Sequence, residues 1–140
     1  MKKRYLVFGA AGSIGKAVTR ELLSAHHTVV ALVRSYQADA KKELSMEGVF
    51  VEILEDVSDP ARLDYFSKYR SEIFDFDGLI YAVGHCPPKG FLSDIKYSLS
   101  QLPLDVYLNE IKMHQIGVIN VFQKMLRNIV SGGCFVFISS

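Results

Sequence analysis

The chain has 140 residues, 49% of them hydrophobic and 22% charged, with a net charge of +1. That is enough for one domain with its own core, and the charge balance points to neither nucleic acid nor an anionic membrane surface. Lys2-Lys3-Arg4 before Tyr5-Leu6-Val7-Phe8 imitates the start of a signal peptide, but the glycines at 9, 12 and 15 and Lys16 break up any apolar region. No uninterrupted apolar run is long enough to span a bilayer. Cys86 and Cys134 lack metal-ligand spacing; no metal site is expected, and the two read as reduced thiols in a cytoplasmic protein.

In chain order, Tyr5 to Phe8 predicts a buried strand. Ser13 to Ala25 predicts a helix with Ile14, Val18, Leu22 and Ala25 on one face. Thr28 to Val33 is a continuous, β-branched-rich run, the pattern of a strand covered on both faces. Gln37 to Met46 reads as a largely exposed helix and Val49 to Leu54 as the third strand. Asp59-Pro60 supplies an N-cap and a first-turn proline for a helix running to about Glu72. Leu79 to Val83 is the fourth strand. Gly84 to Pro103, with prolines at 87, 88 and 103, reads as a long loop over an active-site mouth.

Leu104 to Val130 is a long helical pattern with a break expected near Met113, stopped by Gly132-Gly133; Cys134 to Ile138 is the fifth strand. Strand and helix alternate throughout. The expected fold is therefore α/β: a doubly wound parallel sheet of Rossmann type in three layers, with right-handed crossovers and strand order 3-2-1-4-5. The last long helix is apolar on more than one side, with Val118, Phe122, Met125 and Ile129 in one stripe and Ile119, Leu126 and Val130 widening it. A helix covering one face of a sheet needs less than this. Two readings stay open: a broad core face, or a second contact surface for a partner subunit.

The stretch Phe8-Gly9-Ala10-Ala11-Gly12-Ser13-Ile14-Gly15 lies between the first strand and the first helix. In that setting Gly9 lets the strand turn sharply, Gly12 lets a pyrophosphate approach the backbone, and Gly15 lets the helix pack tightly on the sheet. The loop N–H groups and the helix N-terminus then face the phosphates. Glycines recur as G-x-x-G-x-x-G, not the G-x-G-x-x-G of the ordinary dinucleotide fingerprint.

With these residues in place, the chain resembles the short-chain dehydrogenase/reductase family. Gly9-Ala10-Ala11-Gly12-Ser13-Ile14-Gly15 is similar to its cofactor loop, in a spacing nearer the extended and atypical branches. Later elements resemble the classical branch. Glu55-Asp56-Val57-Ser58-Asp59 is similar to the Asp-Val element that meets the adenine. Tyr81-Ala82-Val83-Gly84 sits where the family commonly has Asn-Asn-Ala-Gly. Met113-His114-Gln115-Ile116-Gly117 sits where it has Val-Asn-x-x-Gly, and Phe137-Ile138-Ser139-Ser140 matches the Ile-Ser-Ser that ends the fifth strand.

The resemblance implies hydride transfer between a nicotinamide and a carbonyl or alcohol carbon, in the manner of a 3-oxoacyl or ketone reductase. It puts Ser140 at the serine that polarises the substrate oxygen, with Ser139 on the opposite face of the strand. It puts His114 where an asparagine supports the catalytic lysine. Gly9, Ala11, Gly12, Ser13, Ile14, Gly15, Asp56, Val57, Ala82, Val83 and Gly84 would hold the cofactor. The Tyr-x-x-x-Lys pair of the family would begin beyond Ser140, so residues 1–140 are expected to be one NAD(P)-binding domain at the N-terminal side of a longer enzyme.

Cofactor choice is read at Val33-Arg34-Ser35, where NAD-preferring sites carry an acidic residue. Arg34 and Ser35 suit a 2′-phosphate, so NADP is expected over NAD. The expected partners are a small carbonyl or alcohol substrate and further copies of the chain through the 104–130 helix. Two other functions compete: a non-catalytic NAD(P)-binding sensor or interaction module, and an extended-type sugar-nucleotide epimerase or dehydratase. The Asp-Val and Ile-Ser-Ser elements speak against the latter.

Overall fold

The computed structural model describes residues 1–71, 75–84 and 103–138, apart from the side chains of 69–71. The apolar runs form strands β1 (Arg4–Phe8), β2 (Thr28–Val33), β3 (Phe50–Ile53), β4 (Phe76–Tyr81) and β5 (Ile129–Phe137). All neighbouring pairs are parallel, in the expected order β3-β2-β1-β4-β5. Helices α1 (Ser13–Ser24), α2 (Ala38–Met46) and α3 (Pro60–Ser71) connect the first four strands as expected. Asp59 caps α3 through Oδ1, which accepts from the Ala61 N–H at 2.9 Å.

Alternate residues of each strand point to opposite faces, and two cores result. On one face Leu6, Phe8, Leu32, Tyr81, Leu63, Val121 and Met125 pack together; on the other Val7, Val29, Ala31, Val33 and Ile80 pack with Leu44, Val18 and Leu22. Helices α1 and α2 therefore cover one side of the sheet. Helix α3 covers the other together with α5 (Gly117–Met125), giving the three layers.

Ile14 departs from the expected apolar face of α1: it stands 52% exposed, and Gly15 and Thr19 are the buried positions. The 104–130 segment is also not one helix. Helix α4 (Leu104–Ile111) passes into a π-helical turn over Lys112–Ile116, then into α5 and a short 3₁₀ turn at Leu126–Asn128. The break expected near Met113 is thus a π turn, which widens the helix by one residue. Gly117, just after it, lets the chain lie close to the core, since a Cβ there would stand 2.6 Å from both the Tyr81 hydroxyl and Val57 Cγ2.

The fifth strand begins at Ile129, before the glycines rather than after them. Ile129 lies opposite Phe76 and Cys134 opposite Gly78, so residues 130–133 form an excursion from the ladder. Gly132, at φ +81°, turns the chain inside that excursion. Ile129 and Val130 accordingly belong to the strand, not to the helical stripe.

Candidate functional site

In a parallel sheet the crevice for a ligand opens where the strand order reverses, here between β1 and β4. A cleft lies at the C-terminal ends of β1 to β4, lined in part by Gly9, Gly12, Arg34, Glu55, Val57 and Gly84.

The three loop glycines have different causes. Gly9 has φ +76°, and a Cβ on it would fall 2.6 Å from the Ala82 carbonyl oxygen. The sharp turn is therefore required by the end of β4. At Gly15 a Cβ would come within 2.1 Å of the Gly9 carbonyl oxygen and 2.8 Å of Ala10 Cα. The contact expected with the sheet is in fact with the loop itself: the helix closes down on its own entry turn.

Gly12 is different. A Cβ there would meet only the Gly9 carbonyl oxygen, at the ordinary distance of 3.4 Å, and the residue is exposed. Nothing among the described residues requires it to be glycine. Its bare backbone lines the cleft.

Gly12 is also the N-cap of α1, without a side-chain cap, and the first helical bond runs from the Lys16 N–H to the Gly12 carbonyl at 2.8 Å. The N–H groups of Ser13, Ile14 and Gly15 consequently have no acceptor inside the helix. Such an end attracts anions. Ala11 packs against the core on the α1 side rather than lining the cleft.

The opposite wall comes from the ends of β2 and β3. Arg34 lies part-buried, its guanidinium donating to Met113 Sδ and to the Tyr36 hydroxyl, each at 3.2 Å, with its centre 5.8 Å from the Tyr36 ring. The N–H of Ser35 donates to both oxygens of Glu55, at 3.2 and 3.4 Å. The hydroxyl and N–H of Ser35 hold the Glu55 carboxylate below its ordinary value, helped by Arg62 and Arg34.

Val57 lines the cleft, whereas Asp56 beside it is exposed and its Oδ1 accepts from both the N–H and the hydroxyl of Ser58 at 2.7 Å. Partial burial pushes its carboxyl up, but these two hydrogen bonds together with the charges of Lys112 and Arg34 hold it below the usual range.

Ala82, Val83 and Gly84 line the floor after β4. His114 stands at the same mouth: a Cβ on Gly84 would be 3.7 Å from its ring, and its Nε2 lies 3.1 Å from Glu110 Oε2. Ser139, Ser140 and most of the 84–103 loop lie outside the described residues.

The cleft thus gathers Gly9, Gly12, Arg34, Val57, Ala82, Val83 and Gly84 from the sequence reading. It adds Tyr36, Gln37, Glu55 and Met113. Glu55 and Met113 stood inside motifs read for their neighbours, Asp56 and His114. No local pattern marks Glu55, because it enters through a contact across 20 residues.

A parallel five-stranded sheet with a glycine turn at its reversal point defines a Rossmann-type architecture. Comparison with known proteins agrees. The NmrA-like family model matches residues 1–69. An uncharacterised protein of Schizosaccharomyces pombe is 44% identical over 54 residues, 39% of this chain and 18% of that protein.

Among solved structures, a Burkholderia multivorans protein described as a short-chain alcohol dehydrogenase superposes with TM-score 0.82 at 20% identity, covering 100% of this chain and 62% of that one. A Burkholderia multivorans protein described as a short-chain dehydrogenase/reductase, with bound NADP, gives TM-score 0.81 at 20% identity, covering 100% and 59%. Serine dehydrogenase from Escherichia coli gives 0.79 at 20% identity, covering 98% and 62%. The chain has the fold of the short-chain dehydrogenase/reductases and spans about three fifths of the length of these solved chains. No helix among the described residues is long and apolar enough to cross a membrane.

Proposed function

We propose that the chain is the cofactor-binding part of an NADP-dependent oxidoreductase of the short-chain dehydrogenase/reductase type, acting on a carbonyl or alcohol substrate. The observation that carries this reading is Gly12, a glycine that packing among the described residues does not need, set at an uncapped helix end beside the cleft. The donor set fits a dinucleotide: free first-turn N–H groups for a pyrophosphate, an apolar wall at Val57 for an adenine, and the Arg34 guanidinium for a 2′-phosphate. Bound NADP in a similarly folded protein supports the same reading.

A bound nicotinamide would supply the hydride. The chain's part is to orient it. Ala82, Val83 and Gly84 would line the nicotinamide end, with His114 beside them held by Glu110. In this reading Ser140 polarises the substrate oxygen, and His114 takes the place of the family's asparagine. Asp56 and Val57 flank the adenine, and Ser35 adds to the 2′-phosphate end. A second copy of the chain is the proposed occupant of the outer surface of the last helix, where Ile119, Phe122 and Leu126 are 44–55% exposed. The reading also expects a cytoplasmic location.

The competing reading, nucleotide binding without turnover, is favoured by His114, whose imidazole is paired to Glu110 along its own helix. Cofactor binding is common to both. Titrating NADPH and NADH into the protein and into Arg34→Ala tests the first reading's cofactor choice. NADPH should bind the unmodified protein more tightly, and Arg34→Ala should lose about tenfold for NADPH, a single charge-assisted contact, and little for NADH. Equal affinities in the unmodified protein would contradict it.

A further inference from the structure

A carboxylate stands at the end of β2 although the sequence there holds none. It is that of Glu55, carried across from the turn after β3. The register Val33↔Ile53 and the bond from the Leu54 N–H to the Val33 carbonyl, 2.9 Å, align the two strand ends. From there Glu55 accepts the Ser35 N–H at 3.2 and 3.4 Å. The corner therefore offers an exposed amide and a neighbouring guanidinium, and an internal anion takes the amide. The Arg34 guanidinium is meanwhile engaged by Met113 and Tyr36. Both Arg34 and Glu55 line the cleft.

A phosphate monoester brings about −1.5 to −2 charges at neutral pH. Entering this corner, it competes with Glu55 for the Ser35 N–H and is repelled by it. A neutral 2′-hydroxyl meets no such opposition and can donate to the carboxylate. We propose that Glu55 is an internal occupant of the 2′-phosphate corner and a specificity-determining residue that opposes Arg34, limiting how strongly the protein prefers NADP(H) over NAD(H). This rests on the nucleotide-binding reading above. Arg34 attracts the phosphate, Glu55 must yield to it, and the measured preference is the difference between the two.

The test uses adenosine 2′,5′-bisphosphate and 5′-AMP, which carry the adenosine half without a nicotinamide, titrated calorimetrically into the unmodified protein, E55Q and E55A. E55Q should bind the bisphosphate about tenfold more tightly, the scale of one removed like-charge contact, and 5′-AMP within about twofold of the unmodified protein. E55A, which clears the Ser35 amide altogether, should gain at least as much for the bisphosphate. Unchanged affinity of E55Q for the bisphosphate, an equal gain for both ligands, or weaker bisphosphate binding by a folded E55A overturns the assignment. Failure of the underlying reading looks different: neither ligand binds any of the three proteins, and the proposal falls with it.

Discussion

The hydroxyl of Tyr81 donates a 2.5 Å hydrogen bond to the main-chain carbonyl of Met113, 32 residues away. It ties the end of β4 to the π turn. Tyr81 is fully buried, between the rings of Phe8 and Phe137, and burial pushes its phenol above the usual 10. It remains a donor through neutral and mildly alkaline pH. The next residue after its acceptor is His114, so the position of that imidazole at the cleft mouth depends on a contact inside the core.

Tyr81→Phe removes the donor and leaves the carbonyl of a buried residue, Met113, one partner short. The expected cost is about 1 kcal/mol, the net worth of a hydrogen bond of this kind, read as a lower urea midpoint with an unchanged slope. An unchanged midpoint would show that the π turn does not need this bond.

Gly15→Ala introduces a methyl where the Gly9 carbonyl oxygen stands 2.1 Å away. Backbone on backbone cannot yield as a side-chain end does, so the loop or the first turn of α1 must move. Overpacking of this kind typically costs about 1–3 kcal/mol, and thermal unfolding of the variant should show it. A melting temperature equal to that of the unmodified protein would contradict the packing described.

Helices α1 and α2 are clipped by ion pairs: Lys16 to Glu43 at 2.6 Å, Arg20 to Glu43 at 2.6 Å and Arg20 to Glu47 at 2.7 Å. Hydrogen bonds from Lys16 and Arg20 hold Glu43 below the ordinary 4.5, and Arg20 does the same for Glu47. A carboxylate whose folded pKa is depressed contributes stability above its unfolded value. That contribution fades as pH falls through the lowered folded value. The clip should therefore be intact at neutral pH, begin to weaken below 4.5 and be lost only as pH falls through the lowered folded values. Because the side chains are 27–50% exposed, salt should weaken it too. The double variant Glu43→Gln, Glu47→Gln is expected to flatten the acid side of the melting-temperature profile in low salt. Superimposable profiles would show the clip to be without consequence.

The parts legible in the sequence were those with local causes. Strands β1 and β2 are unbroken apolar runs, and Thr28–Val33 was readable to the residue. The Asp59-Pro60 start of α3 is local capping chemistry. The misread boundaries have tertiary causes. β4 starts at Phe76, ahead of the apolar run at Leu79, because Asp77 Oδ2 accepts the Arg4 N–H at 2.8 Å and Gly78 pairs with Tyr5 and Cys134. Ile129 and Val130 continue a helical stripe by spacing, yet the sheet takes them, with the glycines absorbed into an excursion. Glu55 was invisible because its partner, Ser35, lies in the turn after a different strand.

Titrating NADPH into the unmodified protein and Gly12→Ala, with melting temperatures measured alongside, decides whether the cleft beside Gly12 takes a dinucleotide. The added methyl has room among the described residues, touching only the Gly9 carbonyl oxygen at 3.4 Å. Stability should therefore stay within about 1 kcal/mol, the range for exchanging an N-cap residue. NADPH affinity should fall by about tenfold or more, roughly 1.4 kcal/mol, because the methyl stands where the pyrophosphate must approach. Equal NADPH affinity in the two proteins, or no NADPH binding by the unmodified protein, would contradict the claim.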